Sequence, residues 1–194
     1  MRKISTNILV CLPFLVCFYN PNKSLRSPQE RKVAQYVNCD YGYVVRIPPG
    51  LVGQVPEYQN HGFYIRLPDG NSTINVSNEF NMSESALPAA VFHYELKFAA
   101  EVRIGWKILS RRYKKVKGLD AMTATATYKD KGAQWKSRIL IVYRPLDEEG
   151  LGNIVYLFEL STPLARYKET SLAFDRVVGG FELTKLPRGP CSND

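Results

Sequence analysis

The sequence predicts an α+β domain with a mainly antiparallel sheet of about seven to eight strands and two amphipathic helices. Short segments rich in aromatic and β-branched residues occur in blocks, and single stretches of helical periodicity separate the blocks. The connections within the blocks are short and turn-forming, which favours antiparallel neighbours. The chain has 194 residues and is 45% hydrophobic. This is enough for one core, and it excludes a disordered tail or a multi-span membrane protein.

Three strands are predicted before the first helix. The first covers residues 40–47, where aromatic and β-branched side chains precede a Pro-Pro-Gly turn. The second covers 62–67 and ends at a Pro-Asp-Gly turn, and the third, 73–77, alternates cleanly. Residues 51–60 contain Gly and Pro without periodicity, so they are predicted to form a surface loop.

The first helix is predicted after Asn81 and is expected to end at Gly105. Five apolar residues recur there at helical spacing: Leu87, Val91, Tyr94, Phe98 and Val102. We expect this stripe to face the core, because an amphipathic helix buries its apolar side.

Four strands and a second helix complete the domain. Strands 106–116, 121–129, 135–144 and 154–161 are joined by short turns, which predicts an antiparallel meander. The second helix is predicted to begin at Thr162-Pro163 and to end at two glycines, and a last short strand, Phe181-Glu182-Leu183, follows.

Both ends of the chain are predicted to lie outside the domain. Residues 1–19 combine a basic start with a short apolar run, which is typical of a secretory signal whose cleavage site stays open. A buried helix, or a lipoprotein acylated on Cys17, is the alternative for this segment. Residues 20–38 are predicted to be a flexible leader, 39–186 a single α+β domain and 187–194 a C-terminal tail. We therefore expect a secreted or periplasmic protein that is not integral to the membrane.

Removing the predicted signal changes the charge and the cysteine count. The formal charge of +8 for the whole chain includes Arg2 and Lys3 of the signal. Two of the four cysteines also belong to the signal, which leaves Cys39 and Cys191. In an oxidising compartment this pair predicts one disulfide, with two free thiols or a bond to another chain as alternatives. Two cysteines and two histidines are too few for a metal site, so we expect no metal.

Two segments resemble a known group of folds. Cys39 to Gly50, read CDYGYVVRIPPG, resembles the opening hairpin of the PsbP-like and Mog-type α/β/α sandwich proteins. Residues 154–183 are similar to the closing strand, the Thr-Pro-started helix and the final strand of that group. The Cys-Asp-Tyr-Gly-Tyr start and the segment 60–63 also resemble small secreted bacterial proteins of uncharacterised function. The resemblance spans 39–184 and implies a fold rather than a catalytic residue.

The sequence contains no common catalytic motif. It lacks a nucleophile elbow, a P-loop, a Rossmann fingerprint, His-Glu-x-x-His and Cys-x-x-Cys, so we assign no catalytic residue and no cofactor. His61 lies directly before Gly62, and Asp69 is expected across the same hairpin. A hydrolase centred on His61 is therefore the enzymatic alternative. His93 falls on the polar side of the first helix and is expected to be solvated.

Residues 111–117 carry five positive charges in seven positions. Alternation along a strand sends neighbouring side chains to opposite faces, so this run predicts a solvated strand end that discourages edge pairing. Contact with anionic lipid head groups or cell-wall polymers is the functional alternative. A secreted protein rarely meets nucleic acid, so we expect no nucleic-acid partner.

Aromatic residues concentrate around the first hairpin, where they suggest a binding surface together with the 51–61 loop. The candidate binding residues are Tyr43, Tyr58, His61 and Phe63. The sequence thus predicts a secreted or periplasmic, monomeric, non-catalytic binding protein whose partner is an unknown protein or a cell-envelope component. An immunity-type inhibitor that docks on a toxin is a further alternative.

Overall fold

The computed structural model describes residues 30–56, 61–81, 87–146 and 152–186, which form eleven strands, two α-helices and one short 3-10 helix. The strands are β1 (Arg31–Val33), β2 (Gln35–Asn38), β3 (Tyr43–Arg46), β4 (Gly53–Val55), β5 (Gly62–Arg66), β6 (Thr73–Asn81), β7 (Ile104–Val116), β8 (Leu119–Asp130), β9 (Ala133–Pro145), β10 (Asn153–Pro163) and β11 (Phe181–Leu183). The helices are α1 (Pro88–Glu101), the 3-10 helix Leu164–Arg166 and α2 (Tyr167–Gly179).

The strands build two antiparallel sheets. The large sheet has eight strands in the order β1-β4-β5-β6-β10-β9-β8-β7, and the small sheet has three in the order β11-β3-β2. Strands β7 to β10 are sequential neighbours, so the predicted meander is confirmed. The predicted α+β fold class with a mainly antiparallel sheet is confirmed as well.

The large sheet is covered on both faces, which gives three layers. Helix α2 and the small sheet bury one face, in a core that includes Tyr43, Tyr156 and Phe174. Helix α1 covers part of the other face with a second core. Because successive residues of a strand point to opposite faces, each central strand contributes to both cores.

The predicted inward stripe of α1 is wrong for most of its members. The side chains of Tyr94 and Phe98 are 61% and 55% exposed. The residues that α1 buries are instead Val91, Phe92, Leu96 and Ala99. Phe92, Leu96 and Ala99 also recur at helical spacing, so α1 has two adjacent apolar stripes and periodicity alone could not choose between them.

The folded part begins earlier than Cys39. Residues 31–38 were predicted to belong to a flexible leader, but β1 pairs with β4 and β2 pairs with β3. Tyr36 is buried against the ring of Phe63 at a centroid distance of 4.9 Å. Strand β4 likewise lies within the predicted 51–60 loop. These strands have three or four residues each, too few to show a period. The predicted signal 1–19 and tail 187–194 lie outside the described residues.

The second helix also starts later than predicted. Strand β10 continues through Thr162, whose hydroxyl lies 2.7 Å from that of Ser72 on the approach to β6. Thr170 of α2 donates a hydrogen bond to the same hydroxyl at 3.2 Å. This buried hydroxyl cluster keeps Thr162 in the sheet, and the Thr-Pro pair therefore precedes the helix.

The corner between α2 and β11 depends on one glycine. The N–H of Arg46 donates to the carbonyl of Gly180 at 2.9 Å, which joins the helix end to β3. A Cβ at Gly180 would lie 2.1 Å from the carbonyl oxygen of Arg46, whereas a Cβ at Gly179 would meet nothing within 4 Å. Two neighbouring glycines thus differ in whether a methyl group fits.

We expect Gly180→Ala to lower the free energy of unfolding by about 2 kcal/mol, because the added methyl forces β3 and the helix end apart. Gly179→Ala is the matched control. It should leave stability unchanged or raise it by up to about 1 kcal/mol, since alanine is the better helix former. Urea unfolding of both variants checks this, and equal effects would contradict the close approach at Gly180.

Candidate functional site

A cavity of about 430 Å³ lies on the α1 side of the large sheet, between α1 and strands β6 and β10. It is lined by His61, Ser77, Asn78, Glu79, Tyr94, Glu95, Phe98, Val155 and Leu157. We call it the α1 groove. Its volume falls in the range of sites that hold small ligands or anchoring side chains.

The walls of the α1 groove are apolar. Tyr94 and Phe98 lie one turn apart on α1, and Val155 and Leu157 lie two residues apart on β10. Both pairs follow the period of their own element, so each presents two side chains to the same space. Tyr94 and Phe98 belong to the predicted stripe of α1, of which only Val91 is buried in the core. Its two exposed aromatic side chains therefore line the groove.

Two carboxyl groups meet in the groove, Glu79 from β6 and Glu95 from α1. Burial, the hydrogen bond to Glu79 and repulsion from its charge raise the pKa of Glu95 from an ordinary 4.5 to about 8. The pair therefore keeps one proton at neutral pH. Such a pair can hold a cation in place of its proton, or donate one hydrogen bond from the protonated group.

His61 lies at the rim of the groove, immediately before β5. Its Nδ1 is 3.1 Å from the hydroxyl of Tyr41, whose ring stacks on Phe80 at 4.4 Å. The N–H of Asn78 donates to the carbonyl of His61 at 3.0 Å, which fixes the backbone. A second cavity of about 220 Å³ adjoins His61 on the β5 side. His61 is thus an exposed side chain that borders both cavities.

The expected pairing of His61 with Asp69 is wrong. Asp69 follows the far end of β5, where it accepts hydrogen bonds from the N–H of Ser72 at 2.9 Å and from its hydroxyl at 2.5 Å. It also lies 3.9 Å from Arg166. Its role is to close the turn between β5 and β6. Within the described ranges, the side-chain hydrogen-bond partner of His61 is the hydroxyl of Tyr41 and no carboxylate.

The other candidate binding residues have different environments. Tyr43 is fully buried and donates a hydrogen bond to Oδ1 of Asn78 at 2.6 Å. Phe63 is 3% exposed and belongs to the same core. These two side chains pack the interior and offer no surface to a partner. Tyr58 lies outside the described residues, so its role and that of His61 stay predictions.

Sequence reasoning did not single out Glu79, Glu95, Tyr94 or Phe98 as site residues. The two aromatic residues were predicted to face the core, as members of the apolar stripe. One feature of the sequence could have identified the two aromatic residues. The apolar surface of α1 is wider than a single packed face needs, so part of it must stay exposed.

The described part of the chain gives two further results. It contains no cluster of three or more His, Cys, Asp or Glu side chains arranged to hold a metal ion. None of its helices combines the length and the apolar character needed to cross a bilayer.

Cys39 follows β2, and Cys191 lies outside the described residues, so the disulfide stays a prediction.

Comparisons with known proteins relate the chain to solved structures. No family model matches it, and no curated protein matches it. LpqN of Mycobacterium tuberculosis, described as involved in cell envelope biogenesis, matches with a TM-score of 0.56 and 14% identity over 80% of this chain and 92% of LpqN. The cyanobacterial PsbP protein CyanoP from Synechocystis sp. PCC 6803 matches with a TM-score of 0.54 and 14% identity, over 78% of this chain and 94% of CyanoP.

These likenesses show the fold. The chain has a PsbP-like α+β fold, as the residues 39–50 and 154–183 implied. At 14% identity the likeness does not extend to function.

The carboxyl pair predicts a pH effect on stability. Between about pH 4.5 and pH 8 the folded chain keeps the proton on Glu95 while the unfolded chain releases it. The folded state binds more protons in this window, so the free energy of unfolding should fall as pH rises through it. Urea unfolding at several pH values should show this decline in the difference between the wild type and Glu95→Gln.

Glu101→Gln serves as the control, because Glu101 is exposed on the same helix and lies 3.9 Å from Lys97. Its difference from the wild type should show no comparable decline. Glu79→Gln removes the repulsion and should flatten the pH effect of Glu95. A difference between wild type and Glu95→Gln that does not change with pH would show that Glu95 titrates normally.

Proposed function

We propose that this chain is an extracytoplasmic, non-catalytic binding protein that holds an apolar peptide segment with a basic residue in its α1 groove. The observation that carries the proposal is the groove itself, in which exposed Tyr94 and Phe98 face Val155 and Leu157 across a carboxyl pair. Aromatic side chains that remain accessible beside aliphatic ones are typical anchors for a partner.

Charge decides which apolar partner fits. The Glu79 and Glu95 pair keeps a negative charge at neutral pH, so it disfavours an anionic lipid head group and favours an ammonium or guanidinium group. Apolar walls with an acidic end match a peptide in which an aliphatic or aromatic residue neighbours Lys or Arg. A toxin presenting such a segment would be one partner, as in the immunity-type alternative.

The extracytoplasmic location is supported by two observations. Residues 1–19 have the pattern of a secretory signal. LpqN, which shares the fold, is described as involved in cell envelope biogenesis. The geometry supports the hydrolase alternative less, because His61 hydrogen-bonds to the Tyr41 hydroxyl and the expected Asp69 lies at the other end of β5.

A displayed library of random peptides selected on the immobilised protein should yield peptides with an apolar residue beside Lys or Arg. Phe98→Ala should lower the affinity for the selected peptides about ten-fold, because it truncates a central anchor of the groove. Leu172→Ala is the matched control, since Leu172 is a 66% exposed apolar residue on α2. Selected peptides without a basic residue, or equal losses in both variants, would contradict the proposal.

The same peptides should bind more tightly as pH rises from about 6 to about 9, because the carboxyl pair loses its proton and gains charge. Titration calorimetry at several pH values measures this. Glu95→Gln should remove most of the increase, and an unchanged increase in that variant would rule out the carboxyl pair as the cation site.

We also propose the disulfide between Cys39 and Cys191. The N–H of Gly42 donates to the carbonyl of Cys39 at 3.2 Å, and the N–H of Thr184 donates to the carbonyl of Gly42 at 2.9 Å. Leu186 lies beside Gly42 as well. Five further residues reach up to about 16 Å when extended. The chain can therefore bring Cys191 to Cys39.

The mature secreted protein should show no free thiol after denaturation without a reductant. Reduction should lower the free energy of unfolding by up to about 4 kcal/mol, because the bond closes a long loop in the unfolded chain. Cys39→Ser should have the stability of the reduced wild type. Two free thiols in the unreduced secreted protein would disprove the bond.

A further inference from the structure

The face of the large sheet that α2 covers is left open over its last two strands. Helix α2 packs on β10, and its Asp175 lies 2.6 Å from Arg138 on β9. Beyond that contact, β7 and β8 continue to the edge of the sheet. The side chains of Lys107, Arg112 and Lys129 on these strands are exposed.

The positive side chains of this area share one face. We call it the basic shelf, formed by Lys107, Arg112 and Lys114 on β7, Lys129 on β8 and Lys136 on β9, with Thr123, Thr125 and Thr127 between them. Thr127 pairs with Lys107 on one side and with Lys136 on the other, and Lys129 follows two residues later. Three lysines are therefore register neighbours of Thr127, and the ammonium of Lys136 lies 3.7 Å from the centre of the Tyr167 ring of α2.

Contacts on both sides of the sheet fix this orientation. Trp106 and Ile108 pack against the α1 core, so Lys107 between them points to the opposite face. An irregularity between Ile108 and Ser110 resets the alternation. The hydroxyl of Ser110 then lies 2.7 Å from that of Thr125, which places Arg112 and Lys114 on the shelf as well.

The shelf is a face of one sign. Among the described residues, Lys107, Arg112, Lys114 and Lys129 form no ion pair, whereas Lys115 on the opposite face lies 2.7 Å from Asp120. Like charges near one another on a sheet face oppose folding. Protection of the β7 edge explains the charges on β7, and the ring of Tyr167 accounts for Lys136, but Lys129 lies on the interior strand β8. An anionic ligand on the shelf would offset the repulsion that remains.

We propose that the basic shelf binds a linear phosphate-bearing polyanion along β7 and β8. The shelf cations of β7 run from Lys107 to Lys114, which are about 23 Å apart along the strand. Ammonium, guanidinium and hydroxyl groups are the donors that phosphate oxygens accept. A flat bilayer fits less well, because α2 rises about 10 Å above the sheet beside the shelf and holds a flat surface away.

This site is independent of the α1 groove, because the two lie on opposite faces of the sheet. The run 111–117 that stands out in the sequence overlaps the shelf only in Arg112 and Lys114, since Arg111 and Lys115 point to the α1 side.

Short-chain inorganic polyphosphate is the probe, measured by calorimetry on the mature protein at about 0.15 M salt, where charges beyond about 8 Å are screened. Lys107→Gln with Arg112→Gln should weaken binding at least about ten-fold. It should also reduce the slope of log affinity against log salt by about 1.4, at roughly 0.7 per cation for a single-stranded polyanion.

The matched control is Arg111→Gln with Lys115→Gln, which removes the same two charge types from the same strand on the other face. Its affinity should stay close to the wild-type value. Equal losses in both double variants would overturn the proposal, because binding would then follow net charge. Binding to phosphatidylglycerol vesicles but not to polyphosphate would also overturn it and would make the membrane surface the partner.

Discussion

The structure depends on the burial of β10 on both of its faces. Strand β10 pairs with β6 and β9 over almost its whole length, so its register is set from two sides. Ile154, Tyr156 and Phe158 face α2 and the small sheet, and Val155 faces α1. A strand that is apolar on both faces needs a covering layer on each. The burial of β10 therefore explains the three layers. Helix α1 covers one face of the strand, and α2 with the small sheet covers the other.

A single charged residue in β10 shows how strict this burial is. Glu159 is 8% exposed, and it accepts hydrogen bonds from Arg103 and from the hydroxyl of Ser137, each at 2.6 Å. Arg103 also lies over the ring of Trp106 at 5.1 Å. Removing one partner from a buried ion pair leaves an uncompensated charge. This pair therefore ties the end of α1 to the central strand in one arrangement.

The long strands and both helices could be predicted from the sequence because each is long enough to show its period. Strands β7 to β10 have eleven to thirteen residues, and their predicted bounds differ from the observed ones by two residues at most. Strands β1, β2 and β4 were missed, since their pairing comes from neighbours that are distant in the sequence. The orientation of α1 was missed for another reason, because two apolar stripes compete on one helix.

The candidate sites were less predictable than the fold, because each one assembles residues from several elements. The α1 groove joins α1 to β6 and β10, and the Glu79 and Glu95 pair exists only once those elements pack. Tyr43 and Phe63 were misplaced because aromatic residues serve cores and interfaces equally well. Of the predicted surface residues within the described ranges, His61 alone borders the groove.

The three-layer arrangement places the α1 groove and the basic shelf on opposite faces of the large sheet. An occupant of one face therefore does not exclude an occupant of the other. A chain held on both faces at once would link its two ligands through a rigid spacer and raise the effective concentration of each near the other. With both proposed ligands bound, the sheet would act as the scaffold of a bivalent assembly.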